Sequence, residues 1–352
     1  MTSTADVDTS ADSTTIQNLL AVATARVNRA LRAYVRELPD CARQWSSFHF
    51  GWTDDHGQAI SGGRQGKGLR PGLAYAVAQM LDADLGCADH MAIAVELVHN
   101  FSLVHDDVID RDVTRRGRPT VWAAHGEPAA VLTGDALMAL AFQILGRGQH
   151  ARLVPRLCRA VQDLIEGEAL DVAYETREDV SVADYVQMAR LKTGALFGAA
   201  CALGAAACGA DPMVIQHLDR YGQALGLAFQ ISDDLLGLFG DPRRTGKPVG
   251  GDLRQRKRTY PVLAALSSPH PAATRLAESY RDTKDLEPTD LAELTVLIEE
   301  TGARRSAPGC PRRHRPGRGS PARGRAESSP DGVAARLGRA RCRPQPVNGA
   351  SL

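Results

Sequence analysis

Aromatic residues supply only 5% of this 352-residue chain. Sheets lean on aromatic and β-branched side chains, so their scarcity beside abundant alanine and leucine favours helices. No alternating strand pattern of any length and no internal repeat can be found. The seven cysteines (41, 87, 158, 201, 208, 310 and 342) include no CxxC pair and no metal-ligand spacing. They read as free thiols in a reducing compartment. Long hydrophobic runs are also missing. The longest small-apolar stretch, "ALFGAACALGAAACGA" at 195–210, is mostly alanine and glycine. That is short for a membrane span and suits a tightly packed buried helix. The first fifteen residues are polar and acidic, without the basic and apolar regions of a signal peptide, so a disordered leader is expected over 1–15. These absences lead us to expect a soluble, cytoplasmic protein with no membrane span.

What is present divides unequally. The net charge is +1, yet residues 303–352 hold 12 Arg, no Lys and 2 acids, a net of +10 against −9 for the rest. That tail has seven prolines and only four residues from Val, Ile, Leu, Met and Phe. It cannot form a core and should be disordered. Before it, residues 16–38 space their apolar side chains at helical period, with Pro39 beyond the end. Residues 87–110, 127–147, 152–175, 182–209 and 212–239 read as further long helices, separated by short breaks. The expectation is one all-α domain over 16–302, a helical bundle around a deep central cavity.

Chemistry concentrates in "HNFSLVHDDVIDRDVTRRGRPT" (99–120). Aspartates at 106, 107, 110 and 112 crowd like charges, each close pair costing about 1 kcal/mol in water and several times that near a protein surface. A cation should sit among them. Arg115 and Arg116 follow at once and call for an anion, so a divalent metal holding a phosphate-type ligand would satisfy both. Asp106 and Asp110 share a helix face one turn apart. The ordinary alternative, a solvated acidic helix end, fits poorly after the apolar "AIAVELVHNFSLV". A second set, Gln230, Asp233 and Asp234, repeats the arrangement at i, i+3 and i+4. Carboxylates on two facing helices suit Mg²⁺, which shares its shell with water and phosphates. Basic residues accompany them: Lys67 and Arg70 in "GKGLRP", Lys192 beside Thr193, Lys247 and Lys257. His99 lies two turns before Asp106, where a satisfied core histidine is as natural as a site residue.

The ordered set "GKGLRP", "ELVHNFSLVHDDVID", "RRGRPT", "LTGDAL", "KTG", "FQISDD" and "GKP…K" resembles the trans-isoprenyl diphosphate synthases over roughly residues 16–302. The resemblance implies the all-α isoprenoid synthase-type bundle, with the two aspartate motifs facing each other. It implies that Asp106, Asp110 and Asp233 bind Mg²⁺, three ions in all, supported by Asp107 and Asp234. Arg115, Lys192 and Lys247 would hold an allylic diphosphate (dimethylallyl, geranyl or farnesyl), with Thr193, Gln230 and Lys257 beside it. Lys67, Arg70, His99 and Arg116 would hold isopentenyl diphosphate. A homodimer is implied, and no specific nucleic-acid partner. Three departures stand out: Gly68 replaces a frequent arginine, Gly237 stands where a second DDxxD would end, and the tail replaces helices.

The implied chemistry follows from charge. Metal ions and cations stabilise diphosphate as a leaving group, the allylic substrate ionises, and the second diphosphate site holds an alkene against the cation. No protein nucleophile is needed. Phe101 and Ser102 lie one turn deeper than Asp106, where bulk can stop chain growth. An aromatic five positions before the motif resembles short-chain enzymes that stop at geranylgeranyl diphosphate (C20); farnesyl diphosphate (C15) is the near alternative, and core filler the plain one. A catalytically impaired family member is a further alternative. A class I terpene cyclase would not need Lys67, Arg70 and His99 for a second diphosphate. Nucleic-acid binding through the tail should vanish at moderate salt.

The abrupt change after "LAELTVLIEETGA" carries the first prediction. Arg, Pro, Gly and Ser have GC-rich codons, so a shifted reading frame in a GC-rich gene gives such a tail; a native disordered tail is the alternative. Resequencing around codon 302 and translating the other frames should show an amphipathic continuation rich in Ala, Leu and Glu. Stop codons or no helical pattern in both frames would sink the frameshift.

Overall fold

The long periodic segments fold as helices close to where the pattern puts them. The computed structural model describes residues 9–60, 66–240, 250–281 and 286–306. In chain order come α1 (Thr9–Val35), α2 (Asp40–His49), α3 (Leu69–Met80) and α4 (Asp89–Ile109). A two-stranded hairpin, β1 (Thr114–Arg115) and β2 (Arg118–Pro119), precedes α5 (Val121–His125), α6 (Glu127–Gly146) and α7 (Val154–Thr176). Then follow α8 (Val182–Ala189), α9 (Ala195–Ala207), α10 (Pro212–Phe239), α11 (Gly251–Arg254) and α12 (Tyr260–Leu266). The last are α13 (Pro271–Arg281), α14 (Pro288–Glu300) and α15 (Ala303–Ser306).

The bundle is organised around α9, the alanine–glycine stretch. Every residue from Ala195 to Ala206 is buried, and α3, α4, α7 and α10 all pack on it. Its small side chains fix how near the neighbours come. A Cβ on Gly222 would lie 2.5 Å from the Phe197 carbonyl oxygen, and one on Gly226 only 2.7 Å from the Gly194 Cα. α4 carries its apolar residues on nearly all sides and seats between α9 and α6. α6 is long and apolar enough to cross a membrane, but half of that stretch is buried in the protein. A second core, around Leu238, Leu253, Val262, Leu276, Leu294 and Ile298, holds α11 to α15 together.

Four features depart from the sequence reading. The helix expected over 182–209 is interrupted by a π-turn at Arg190–Gly194. There α7 runs so close that a Cβ on Gly167 would be 2.1 Å from the Lys192 nitrogen; such turns gather at functional sites. The hairpin went unseen because its turn is Arg116–Gly117, both at positive φ (55° and 78°), a type I′ geometry usually signalled by Asn-Gly. α1 begins at Thr9, inside the expected leader, since a formed helix extends by one hydrogen bond per residue. Residues 1–8 lie outside the described residues, as do 307–352 of the expected tail, whereas Ala303 packs into the second core.

The cysteines need correction too. Cys87 and Cys208 form a disulfide across 121 residues, because the turn before α4 meets the end of α9. Cys41, Cys158 and Cys201 are free. Cysteine usage therefore no longer argues for a reducing compartment.

The close α9–α10 approach gives a stability prediction. Gly226→Val should destabilise by about 1–3 kcal/mol by forcing the helices apart. Gly146→Ala, where a Cβ meets nothing within 4 Å, should leave the urea midpoint unchanged or slightly higher.

Candidate active site

The last turns of α4 present the first aspartate cluster, and its members face different partners. Asp107 turns inward, 1% exposed, and its Oδ1 accepts a 2.6 Å bond from Arg115 Nε. Burial outweighs that arginine and pushes the Asp107 carboxyl up to about 6. Asp110 Oδ1 accepts from Lys257 Nζ at 2.9 Å, so the segment after α11 reaches the first motif. Asp106 is pushed well up by burial and then by the neighbouring Glu168, against the pull of Lys192 and Arg115.

The second cluster sits near the end of α10. Asp234 is buried and accepts three bonds: Tyr185 Oη at 2.7 Å, Gln230 Nε2 at 2.9 Å and the Tyr260 backbone N–H at 3.0 Å. Burial still outweighs these donors and raises its carboxyl to about 6. Gln230 is oriented in turn, its Oε1 accepting from Thr193 Oγ1 at 2.8 Å. Asp234 thus ties α8, α10 and α12 together, while Asp233 beside it is exposed. Lys192, on the π-turn, reaches Glu168 and Asp171 of α7 at 2.6 Å each. Burial opposes its charge, but those carboxylates prevail and raise its pKa.

A different wall is built from α3, α4 and the hairpin. Arg70 Nη1 lies 3.2 Å from His99 Nε2, and its guanidinium stacks over the Phe197 ring at 4.8 Å. Burial lowers Arg70 to about 10, so it stays charged at neutral pH. Its Nε is buried with no hydrogen-bond partner among the described residues. His99 is held well below its usual value by burial and then by Arg70. It is neutral, and because arginine only donates, its Nε2 accepts and its proton sits on Nδ1. Arg116 is likewise lowered by burial, with Glu96 opposing. Glu96, itself raised by burial, accepts from Asn100 Nδ2 at 3.1 Å. Asn100 Oδ1 pairs with His49 Nε2 at 2.9 Å.

The two clusters share a neighbour: Asp106 and Asp233 each act electrostatically on Arg70. A separate cleft of about 800 Å³, lined by Arg156, Ala160, Ala199 and Asp219, touches neither cluster. Lys67 is exposed, and Lys247 lies outside the described residues. Lys257, expected beside the allylic diphosphate, is drawn to Asp110 instead. Phe101 is buried, its ring edge-on to His105 at 5.2 Å, and Ser102 Oγ donates to the His99 carbonyl oxygen at 2.9 Å. Glu168, Asp171, Tyr185, Tyr260, Glu96, Asn100 and His49 escaped the sequence reading. Only Glu96 and Asn100 left a trace, as polar residues i and i+4 in an apolar helix.

Among the described residues no three His, Cys, Asp or Glu side chains converge to hold a metal unaided. The donor set nevertheless fits Mg²⁺. Asp106, desolvated beside Glu168 and Asp110, is a hard-oxygen donor that Lys192 and Arg115 do not fully offset, and Mg²⁺ ordinarily completes its shell with water and phosphate. Asp106→Asn should therefore abolish turnover yet raise the melting temperature of the metal-free protein by a few degrees above neutral pH. A carboxyl raised on folding penalises the folded state once ionised, so the gain should shrink as pH falls from the folded value toward about 4. A gain that is the same at pH 4 and pH 8 would contradict the burial argument.

The sequence pattern of the Polyprenyl synthetase family matches residues 58–298. A geranylgeranyl diphosphate synthase of Mycobacterium tuberculosis is 43% identical over 296 residues, covering 83% of this chain and 84% of that one. A (2E,6E)-farnesyl diphosphate synthase of Mycobacterium bovis is 41% identical over 302 residues, with 84% of each covered. A crystal structure of polyprenyl synthetase from Streptomyces coelicolor A3(2) superposes with a TM-score of 0.78 at 42% identity, covering 82% of this chain and 88% of its own. With the two aspartate clusters on one all-α bundle, these likenesses establish that the chain belongs to the polyprenyl synthetase family.

Proposed function

We propose that this protein is a Mg²⁺-dependent head-to-tail prenyltransferase that extends allylic diphosphates with isopentenyl diphosphate, ending at C20. The observation that carries the reading is that two unlike groups of side chains meet at Arg70, on which Asp106 and Asp233 both act. The acidic clusters, with Lys192 and Arg115 among them, suit an allylic diphosphate shared with metal ions. Arg70, neutral His99 and Arg116 suit a second diphosphate without metal, and the unpaired Arg70 Nε is a donor awaiting an acceptor. Mg²⁺, three ions in this reading, would be held by Asp106, Asp110 and Asp233 and would supply charge to the leaving diphosphate. Lys192 and Arg115 neutralise the oxygens that gain charge as the allylic bond breaks. Arg70 and Arg116 hold the second substrate so that its alkene meets the cation in a fixed pose. The released proton leaves with the diphosphate, the strongest base then at hand. A class I terpene cyclase has no use for the Arg70 wall.

Product length is not resolved by similarity, since relatives named for C20 and for C15 products match almost equally. Phe101, buried one turn below Asp106, supports C20; the (2E,6E)-farnesyl diphosphate relatives keep C15 as the alternative. A homodimer is supported by exposed Ile109, Val131 and Leu132. The Arg111–Glu127 ion pair brings the end of α4 to the start of α6, which carries the last two.

Incubation with isopentenyl diphosphate, each allylic primer and Mg²⁺, followed by product sizing, should give C20. Asp106→Ala and Asp233→Ala should each lower turnover by orders of magnitude while folding survives. Near-normal activity of either at limiting Mg²⁺ would remove the two-cluster metal site. Phe101→Ala should move products beyond C20; an unchanged spectrum in an active variant would return Phe101 to core filler.

A further inference from the structure

The residue just before the first aspartate cluster, 26% exposed, has no part in the chemistry above, yet its ring is lodged against a second helix beside Phe101. His105 enters α6 at Gly134, where a Cβ would stand 2.1 Å from His105 Nε2 and 2.3 Å from Cδ2. The ring occupies the volume that any larger residue at 134 would need. His105 Nε2 lies 3.0 Å from the Val131 carbonyl oxygen. A carbonyl only accepts, so Nε2 carries the proton and donates. Asp135 Oδ1 stands 3.8 Å from the same nitrogen. His105 and Phe101 are four apart on α4 and meet edge to face at 5.2 Å, a geometry in which aromatic pairs attract.

A gate for a growing alkyl chain must resist being pushed aside. Phe101 can turn at χ1 and χ2, and only the side chains packed around it hold its ring in place. Ser102 is small and turned back onto the His99 carbonyl, so it supplies no wall. His105 does, because it is anchored at a glycine gap and by a hydrogen bond to a second helix. We infer that His105, lodged in the Gly134 notch of α6, is a positioning residue that holds Phe101 in place and thereby sets product length. The inference rests on the reading of Phe101 as the gate.

The test compares product spectra of Phe101→Ala, His105→Ala, Gly134→Ala and the His105→Ala/Gly134→Ala double variant, with saturating isopentenyl diphosphate and Mg²⁺. Only folded, active molecules contribute to a product ratio, so loss of yield does not enter the readout. His105→Ala should lengthen the main product by at least one five-carbon unit with Phe101 intact. Gly134→Ala should do the same by expelling the ring, and should add nothing once His105 is gone. A longer product from Phe101→Ala alone, with wild-type spectra from both His105→Ala and Gly134→Ala, would overturn the inference and leave the gate standing. Wild-type spectra from all the variants would overturn the gate and the inference together. Additive shifts in the double variant would also overturn it, since the notch would then act independently of the ring. Should Gly134→Ala yield no active protein, His105→Ala decides by itself.

Discussion

Charge desolvation is the constraint on which the site depends. Asp106, Asp107, Asp234, Glu96 and Glu168 all carry carboxyls raised first by burial. Arg70 and Arg116 are lowered by the same cause. Neither set would be tolerated alone, because an isolated buried charge costs several kcal/mol. Interleaved, they let one protein keep both signs out of water at once. The arrangement is only partly self-satisfied: Asp106 stays raised despite Lys192 and Arg115, and the buried Arg70 Nε has no acceptor among the described residues.

That interleaving requires helices closer together than ordinary side chains permit. α9 meets the requirement by being mostly alanine and glycine, nine of its 13 residues, and Gly222, Gly226 and Gly167 let the facing backbones approach. The same thinness places the π-turn of Arg190–Gly194 against α7, which is why Lys192 can reach Glu168 and Asp171. Packing and electrostatics are one design here. A thicker α9 would move Lys192 and Arg70 out of range of the carboxylates they balance.

Much of this was legible in the sequence, unevenly so. Helical periodicity located α4, α6, α7 and α10 to within a few residues, since those faces are buried continuously. The aspartate clusters were legible because acids crowded at the end of an apolar run repel one another unless a cation joins them. Tyr185 and Tyr260 were not, lying 49 residues before and 26 after the Asp234 they bind. Nothing in their own neighbourhood marks them. The Cys87–Cys208 bridge was hidden for the same reason, and the hairpin because Arg116 adopts a positive φ that its residue type does not advertise.

Spacing also left the aspartates of each cluster undivided, and the structure divides them. Asp107 and Asp234 are second in their pairs, both buried, both spent on internal donors. Asp106 and Asp233 come first, and both act electrostatically on Arg70. On a helix, adjacent residues point about 100° apart, so a DD pair beside a cavity assigns one carboxylate to the cavity and the other to the wall. The wall member fixes the helix against its neighbours, through Arg115 in one case and Tyr185 with Tyr260 in the other. Its rigidity is what keeps the cavity member in position. Doubling the aspartate therefore joins the carboxylate we propose for metal to its own support within two residues, and explains why the two motifs share a form although they lie on different helices.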